Sequence, residues 1–229
     1  MPITHCIFDA YGTLFDVAGA ARAAAATPEG AALSPHWAQL AAHWRAKQLE
    51  YTWLRAITGD HADFQQVTQD GLDWSLEAMG LDGDPALRAQ LLDLYRTLPA
   101  YPEVPAMLQA LNGAGYTCAI LSNGTPQMLS DAVTSAGIGD QLDALLSIED
   151  VGVYKPARAV YDLVRTRYGT QPEEVLFVSS NGWDAAGASG YGFNVLWVNR
   201  AGQPVDRMPH KPTRIERDLT NLPHFIKDF

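Results

Sequence analysis

Polar and charged residues follow four apolar runs of the sequence, at the point where each run ends. The first run is followed by DAYGT, beginning at Asp9, and the second by SNGT, beginning at Ser122. Lys155 comes soon after the third run, and the fourth is followed by SSNGWD, which ends at Asp184. A carboxylate can act as a nucleophile or a proton acceptor, and a nearby ammonium group favours its ionised form. These segments therefore predict a catalytic site.

The apolar runs themselves are typical of buried β-strands, with helical patterns between them. Strands are predicted over 4–8, 116–121, 144–148, 175–178 and 194–198. Helices are predicted over 102–114, 125–136, 156–168 and 185–190. Strands that alternate with helices favour a Rossmann-like α/β fold with a parallel sheet. In such a sheet ligands bind beyond the carboxyl ends of the strands, which is where the polar segments lie.

The stretch from 16 to 98 has a different character, because it contains helical patterns and no convincing strand. Its helices are predicted over 36–57, 64–79 and 85–98. We therefore predict an α/β core formed by 1–15 and 99–229, with an all-helical cap (16–98) inserted after the first strand. The tail from Gln203 onward is polar and contains several prolines, and it supports no prediction.

Composition and charge narrow the class of protein. Of the 229 residues, 47% are hydrophobic and 18% charged, which excludes general disorder. The net charge of −10 argues against a nucleic-acid partner. No apolar run is long enough to span a membrane, and the first residues do not read as a signal peptide, so we expect a cytoplasmic protein. Cys6 and Cys118 lie in apolar runs and are predicted to be buried free thiols.

The ordered motifs resemble those of the haloacid dehalogenase (HAD) superfamily and, within it, the L-2-haloacid dehalogenases. The resemblance rests on FDAYGTLFD at the first strand, WRAKQLEYTWLR in the helical insertion, ILSNG after the second strand and FVSSNGWD after the fourth. It covers nearly the whole chain. It implies a HAD-like core with a helical cap and a homodimer. It also implies a hydrolase that converts L-2-haloacids to D-2-hydroxy acids, releases a halide ion and uses no cofactor.

Two departures separate this chain from the magnesium-dependent phosphatases of the superfamily. Tyr11 stands where those enzymes have a second aspartate as general acid, and Asp184 is the one carboxylate of the last motif. Magnesium prefers oxygen ligands, normally carboxylates and waters, and Lys155 would compete for the same space. No histidine or cysteine has the spacing of a metal site. We therefore predict no metal.

The resemblance implies roles in catalysis for a set of residues spread over the chain. Asp9 attacks the carbon that bears the halogen, Thr13 orients Asp9, and Lys155 favours its ionised form. Asp184 activates the water that hydrolyses the ester, and Asn181 and Lys155 hold Asp184 in place. The catalytic residues implied are Asp9, Thr13, Arg45, Ser122, Lys155, Tyr161, Ser179, Asn181 and Asp184.

Other residues are implied to bind the substrate and the departing halide. Arg45 reaches from the cap as the main halide ligand, and Asn123 and the ring edge of Trp183 complete the halide-binding site. Hydroxyl and backbone N–H donors hold the substrate carboxylate, and apolar side chains form the wall of the pocket. The substrate-binding residues implied are Ala10, Tyr11, Arg45, Leu49, Phe64, Ser122, Asn123 and Trp183.

Three alternatives remain open from the sequence. A superfamily phosphatase would require magnesium, and a hydrolase that opens a 2-carboxylate heterocycle would use the same Asp9. A binding protein that kept the fold without catalysis is the third. One further departure concerns Ala46, since many relatives have Gln after the arginine of the cap.

Overall fold

The computed structural model, which describes residues 1–17 and 35–229, contains a six-stranded parallel sheet. Its strands are β1 (His5–Phe8), β2 (Thr117–Ser122), β3 (Ala144–Ser147), β4 (Val175–Ser179), β5 (Asn194–Val198) and β6 (Arg214–Glu216). The strand order is β3-β2-β1-β4-β5-β6, and every neighbouring pair is parallel. The predicted α/β fold class is therefore confirmed. The order reverses beside β1, which is where open α/β sheets form their ligand-binding crevice.

Within the described residues, three α-helices lie between β1 and Leu98. They are α1 (Trp37–Thr58), α2 (Phe64–Ala78) and α3 (Pro85–Asp93), and α1 packs along α2. Residues 35–98 contain no strand, while residues 18–34 of the predicted cap lie outside the described part of the chain. The segments that flank this helical stretch lie side by side, since Phe15 bridges Ala100 and Tyr101 N donates to Leu14 O.

The remaining helices accompany the strands of the core. They are α4 (Val104–Gly113), α5 (Pro126–Ala136), α6 (Arg158–Tyr168), α7 (Gly182–Tyr191) and α8 (Leu222–Phe225). α5 begins where the Thr125 side chain accepts the backbone N–H of Met128, and it ends at Gly137 in a left-handed conformation. β4 is buried at all five positions, as expected of a central parallel strand with both faces covered.

One strand was not predicted, and two predicted helix boundaries were wrong. β6 was missed, because only one of its three residues, Ile215, is apolar and the strand gains its place by pairing with β5 at the sheet edge. The helix predicted over 185–190 begins at Gly182, so Asp184 lies in a helical turn rather than a loop. The helix predicted over 85–98 ends at Asp93 and continues as a short 3₁₀ segment over Leu94–Arg96.

Two further predictions concern cysteines and membranes. Cys6 and Cys118 are buried free thiols in register on β1 and β2, as predicted. Burial raises the pKa of the Cys6 thiol, which keeps it protonated. Within the described ranges, no helix combines the length and apolar character needed to cross a bilayer.

Candidate active site

The turn after β1 presents Asp9 at the centre of the sheet edge. Gly12 adopts a left-handed φ of +83°, which lets the chain turn back so that the N–H of Thr13 donates to Ala10 O. The Thr13 hydroxyl then donates to Asp9 Oδ2 at 2.9 Å. Thr13 Oγ1 itself accepts the N–H of Ser180 from the end of β4, at 2.8 Å. Two strand ends are thereby joined around one carboxylate.

Lys155 lies between two carboxylates in the interior. Its side chain is 1% exposed, and Nζ donates to Asp9 Oδ1 at 3.2 Å and to Asp184 Oδ2 at 3.0 Å. Burial by itself would lower the pKa of Lys155, but the charges and hydrogen bonds of Asp184 and Asp9 outweigh burial and raise it. Nζ also lies 4.9 Å from the centre of the Phe177 ring. The ammonium group is therefore held in its charged form.

Asp184 is fully buried in the first turn of α7 and accepts hydrogen bonds at both oxygens. Tyr161 Oη donates to Oδ1 at 2.8 Å, and Ser179 Oγ donates to Oδ2 at 2.9 Å. Burial raises the pKa of Asp184, and the Lys155 charge opposes that rise without cancelling it. α7 approaches Tyr161 closely at Gly187, where a Cβ atom would lie 2.6 Å from Tyr161 Oη. Glycine there allows the tyrosine to reach Asp184.

Arg45 from α1 reaches across to the core. Its Nη2 donates to Asn181 Oδ1 at 2.9 Å, and Asn181 Nδ2 donates to Asp9 Oδ2 at 3.0 Å. The guanidinium is thus separated from the Asp9 carboxylate by one amide. Asn181 was expected to hold Asp184, but its side chain contacts Asp9 and Arg45 instead, because α7 begins early and turns Asp184 towards Lys155.

Ser122 and Asn123 lie at the end of β2 beside this cluster, and both are buried. Ser122 Oγ accepts the N–H of Gly124 at 3.1 Å, and Asn123 Oδ1 accepts the N–H of Lys155 at 3.2 Å. Each residue is thereby used as an acceptor. Among the described residues nothing accepts the Ser122 hydroxyl proton or the Asn123 amide protons, so these donors are available to a bound anion.

Aromatic rings surround the polar cluster on the side of the helical insertion. The Tyr11 ring stacks on Phe64 with centres 5.8 Å apart and meets Tyr95 at 5.6 Å. Trp183 packs edge-on against Trp53 of α1, with centres 5.5 Å apart. The buried Oη of Tyr11 and Nε1 of Trp183 find no hydrogen-bond partner within the described chain. The wall is apolar, with two polar atoms left for a ligand.

Two predicted pocket residues have contacts that are mainly structural. Ala10 is fully buried, and its carbonyl accepts the N–H groups of the turn that follows β1. Leu49 is half-buried on α1, and its carbonyl accepts the Thr52 hydroxyl. Their assignment to the pocket stays a prediction.

Sequence reasoning missed Gln48, Trp53, Tyr95 and Ser180. Gln48 is fully buried, and its Oε1 accepts from Arg45 Nη1 at 2.8 Å. The signal for it was present: a glutamine three residues after Arg45 shares a helix face with it, within the core-facing pattern of α1. Trp53 and Tyr95 carried no such signal, because an aromatic residue in a helical pattern fits any core.

The donor set at this site is unlike that of a magnesium centre. Across residues 1–17 and 35–229 there is no cluster of three or more His, Cys, Asp or Glu side chains placed to hold a metal ion. The two carboxylates that converge, Asp9 and Asp184, already share the Lys155 ammonium group. The ammonium group therefore lies within hydrogen-bond distance of both carboxylates.

A family model matches most of the chain. The model for haloacid dehalogenase-like hydrolases matches residues 3–192. The chain belongs to this family. The predicted resemblance to the L-2-haloacid dehalogenases is confirmed by the individual relatives and solved structures.

Three of these proteins illustrate the likeness. (S)-2-haloacid dehalogenase 1 from Pseudomonas sp. strain CBS-3 is 43% identical over 226 residues, covering 98% of this chain and 97% of its own. Haloacetate dehalogenase H-2 from Moraxella sp. strain B is 36% identical, covering 80% of this chain and 81% of its own. The structure of L-2-haloacid dehalogenase from Xanthobacter autotrophicus with chloropropionic acid covalently bound has a TM-score of 0.86 at 36% identity, with 98% of both chains covered.

Removing the central ammonium group tests the electrostatics of this hydrolase site. We expect Lys155→Met to lower the free energy of unfolding at pH 8 by about 3 kcal/mol, because two buried carboxylates lose their shared cation. In the variant the Lys155 charge no longer opposes the rise that burial causes in the pKa of Asp184, so stability is lost as pH rises. The deficit should therefore be smaller at pH 5 than at pH 8.

Urea unfolding at the two pH values measures the effect. The matched control is Lys227→Met, since Lys227 is exposed, and it should change stability by less than about 0.5 kcal/mol. A deficit that is equal at pH 5 and pH 8 would show that lost packing, not charge, accounts for the destabilisation.

Proposed function

We propose that this hydrolase cleaves the carbon–halogen bond of L-2-haloacids and yields D-2-hydroxy acids, with Asp9 as a covalent nucleophile. The observation that carries the proposal is the shared position of three charges: the Asp9 carboxylate, the Lys155 ammonium and the Arg45 guanidinium, which is one amide away. A carboxylate nucleophile next to an ammonium group and a guanidinium suits displacement of an anionic leaving group. The names of the relatives support the substrate class.

The first step is attack by Asp9 on C2 of the substrate. Oδ2 already accepts from Thr13 and Asn181, whereas Oδ1 accepts from Lys155, so Oδ1 has more lone-pair capacity for attack. The new bond forms between Oδ1 and C2 as the carbon–halogen bond breaks, and the halogen leaves with the bonding electron pair. Attack opposite the leaving group inverts C2. The halide needs no proton, so Tyr11 in place of a second aspartate is no obstacle.

The substrate is held by groups from both parts of the chain. We propose that residues 16–98 form a cap over a core of 1–15 and 99–229, because Arg45 on α1 reaches the core at Asn181. In this scheme Arg45 and the free amide of Asn123 bind the halide, with the edge of Trp183 beside it. The Ser122 hydroxyl binds the substrate carboxylate. The Tyr11 and Phe64 rings enclose the substituent on C2.

The second step is hydrolysis of the Asp9 ester. Water attacks the ester carbonyl carbon, and Asp184 takes one of its protons through Oδ1, which keeps a lone pair beside the Tyr161 bond. The ester bond to the substrate oxygen breaks, and the leaving alkoxide receives the proton from Asp184. The water oxygen stays in the Asp9 carboxylate, and one proton is released to solvent. A pKa of Asp184 raised by burial makes it a better base.

Halide release from paired enantiomers tests the substrate class. We expect release from L-2-chloropropionate and none from the D enantiomer. The groups that bind the halide and those that bind the substrate carboxylate together fix which face of C2 meets Asp9. EDTA should leave the rate unchanged, since Lys155 provides the cation at the site. Release that requires added magnesium, or phosphate release from phosphate esters, would overturn the proposal and support the phosphatase alternative.

Isotope incorporation tests the covalent step. With enzyme in excess over L-2-chloropropionate in H₂¹⁸O, one turnover should place ¹⁸O in Asp9 and none in the hydroxy acid. Peptide mass spectrometry locates the label. Asp9→Asn should lower kcat by at least about a thousandfold, because the nucleophile is lost. Label found in the product after one turnover would show direct attack by water and reject the ester.

We also propose a homodimer formed through the helical insertion, because its outer face exposes large apolar side chains. Leu54, Ile57 and Trp74 are 49%, 81% and 39% exposed, and the first two share a face of α1. Light scattering after size exclusion should give twice the chain mass for the wild type and a lower mass for Ile57→Lys. A single-chain mass for the wild type would contradict the dimer.

A further inference from the structure

Gln48 is a fully buried amide on α1, and each of its polar atoms has a partner. Its Oε1 accepts from Arg45 Nη1 at 2.8 Å. Its Nε2 donates to Thr68 Oγ1 at 2.8 Å and to Tyr95 Oη at 3.3 Å. A buried amide with its hydrogen bonds made is rigid, since turning it would leave donors facing donors.

The orientation of this amide follows from the hydrogen bonds around it. The Thr68 hydroxyl donates its one proton to Phe64 O at 2.6 Å. Thr68 Oγ1 must therefore accept the hydrogen bond from Gln48 Nε2. The guanidinium of Arg45 carries only donors and therefore requires the oxygen of Gln48. Thr68 and Arg45 therefore require the same orientation of the Gln48 amide. The contact from Gln48 to Arg45 is thus determined by α2 as well as by α1.

The Arg45 guanidinium donates two hydrogen bonds, one to each part of the chain. Nη1 donates to Gln48 within the helical insertion, and Nη2 donates to Asn181 of the core. An arginine side chain has many rotamers, and Asp9 offers a charged acceptor close by. Direct pairing of Arg45 with Asp9 would occupy the nucleophile. Two neutral acceptors hold the guanidinium beside the carboxylate without cancelling its charge.

We propose that Gln48 is a positioning residue that fixes the Arg45 guanidinium where the halide departs. The inference rests on the proposed function, in which Arg45 stabilises the leaving halide. Gln48 acts through Arg45 and has no contact with the reacting atoms. Its neutrality is part of the role, because a carboxylate at this position would pair with the guanidinium and weaken its attraction for an anion.

The signature of this role is dependence on the leaving group. Chloride leaves less readily than bromide and relies more on stabilisation of its developing charge. We expect Gln48→Met to lower kcat/KM about tenfold for L-2-chloropropionate and about threefold or less for L-2-bromopropionate. The parameter kcat/KM reports the steps up to halide expulsion, so slow ester hydrolysis does not mask the effect. Gln39→Met, at an exposed position of the same helix, should leave both values within about twofold.

A second variant keeps the test valid if Gln48→Met fails to fold. Gln48→Glu retains an acceptor for Arg45 but pairs with its charge, and it should also lower kcat/KM more for the chloro acid than for the bromo acid. An equal fall for both acids, as loss of folded enzyme would cause, overturns the proposal, as does no fall. Halide release by the wild type from both acids tests the proposed function separately.

Discussion

The site depends on one buried ammonium group. Lys155 donates to both Asp9 and Asp184, and without it two carboxylates would face each other in the interior at a high electrostatic cost. Lys155 also links the ends of three strands. Its Nζ contacts Asp9 after β1 and Asp184 after β4. Its backbone N–H donates to Asn123 after β2. The same ammonium group that pairs with two buried carboxylates also places a cation 3.2 Å from the proposed nucleophile, Asp9. Stability and the proposed chemistry therefore share one interaction.

A second constraint is that the site is divided between two parts of the chain. The core supplies the carboxylates and the ammonium group, while α1 supplies Arg45. The guanidinium is held by Gln48 on one side and Asn181 on the other, so its position reflects the packing of α1 on α2 as well as the approach of α1 to the core. A substrate that entered between them would meet a preorganised cation with little reorganisation to make.

Most of the fold could be predicted from the sequence, because its signals are local. The central strands are continuous apolar runs, and the polar residues that follow them must meet at one sheet edge in any parallel α/β arrangement. β6 escaped prediction because its place depends on pairing with β5 and not on its own apolar content. The early start of α7 escaped for a related reason, since Gly182 is a poor helix former and begins the helix only in its tertiary setting.

The sequence by itself determined the fold class, the family and the set of polar residues at the strand ends. Only the tertiary structure decided which of them pair. Asn181 forms hydrogen bonds with Asp9 and Arg45, whereas Tyr161 and Ser179 donate to Asp184. It also decided that Gln48, with no chemical motif of its own, holds Arg45. The physical reason is that residue type and spacing act along the chain, whereas a hydrogen bond depends on distances of a few tenths of an ångström between elements distant in sequence.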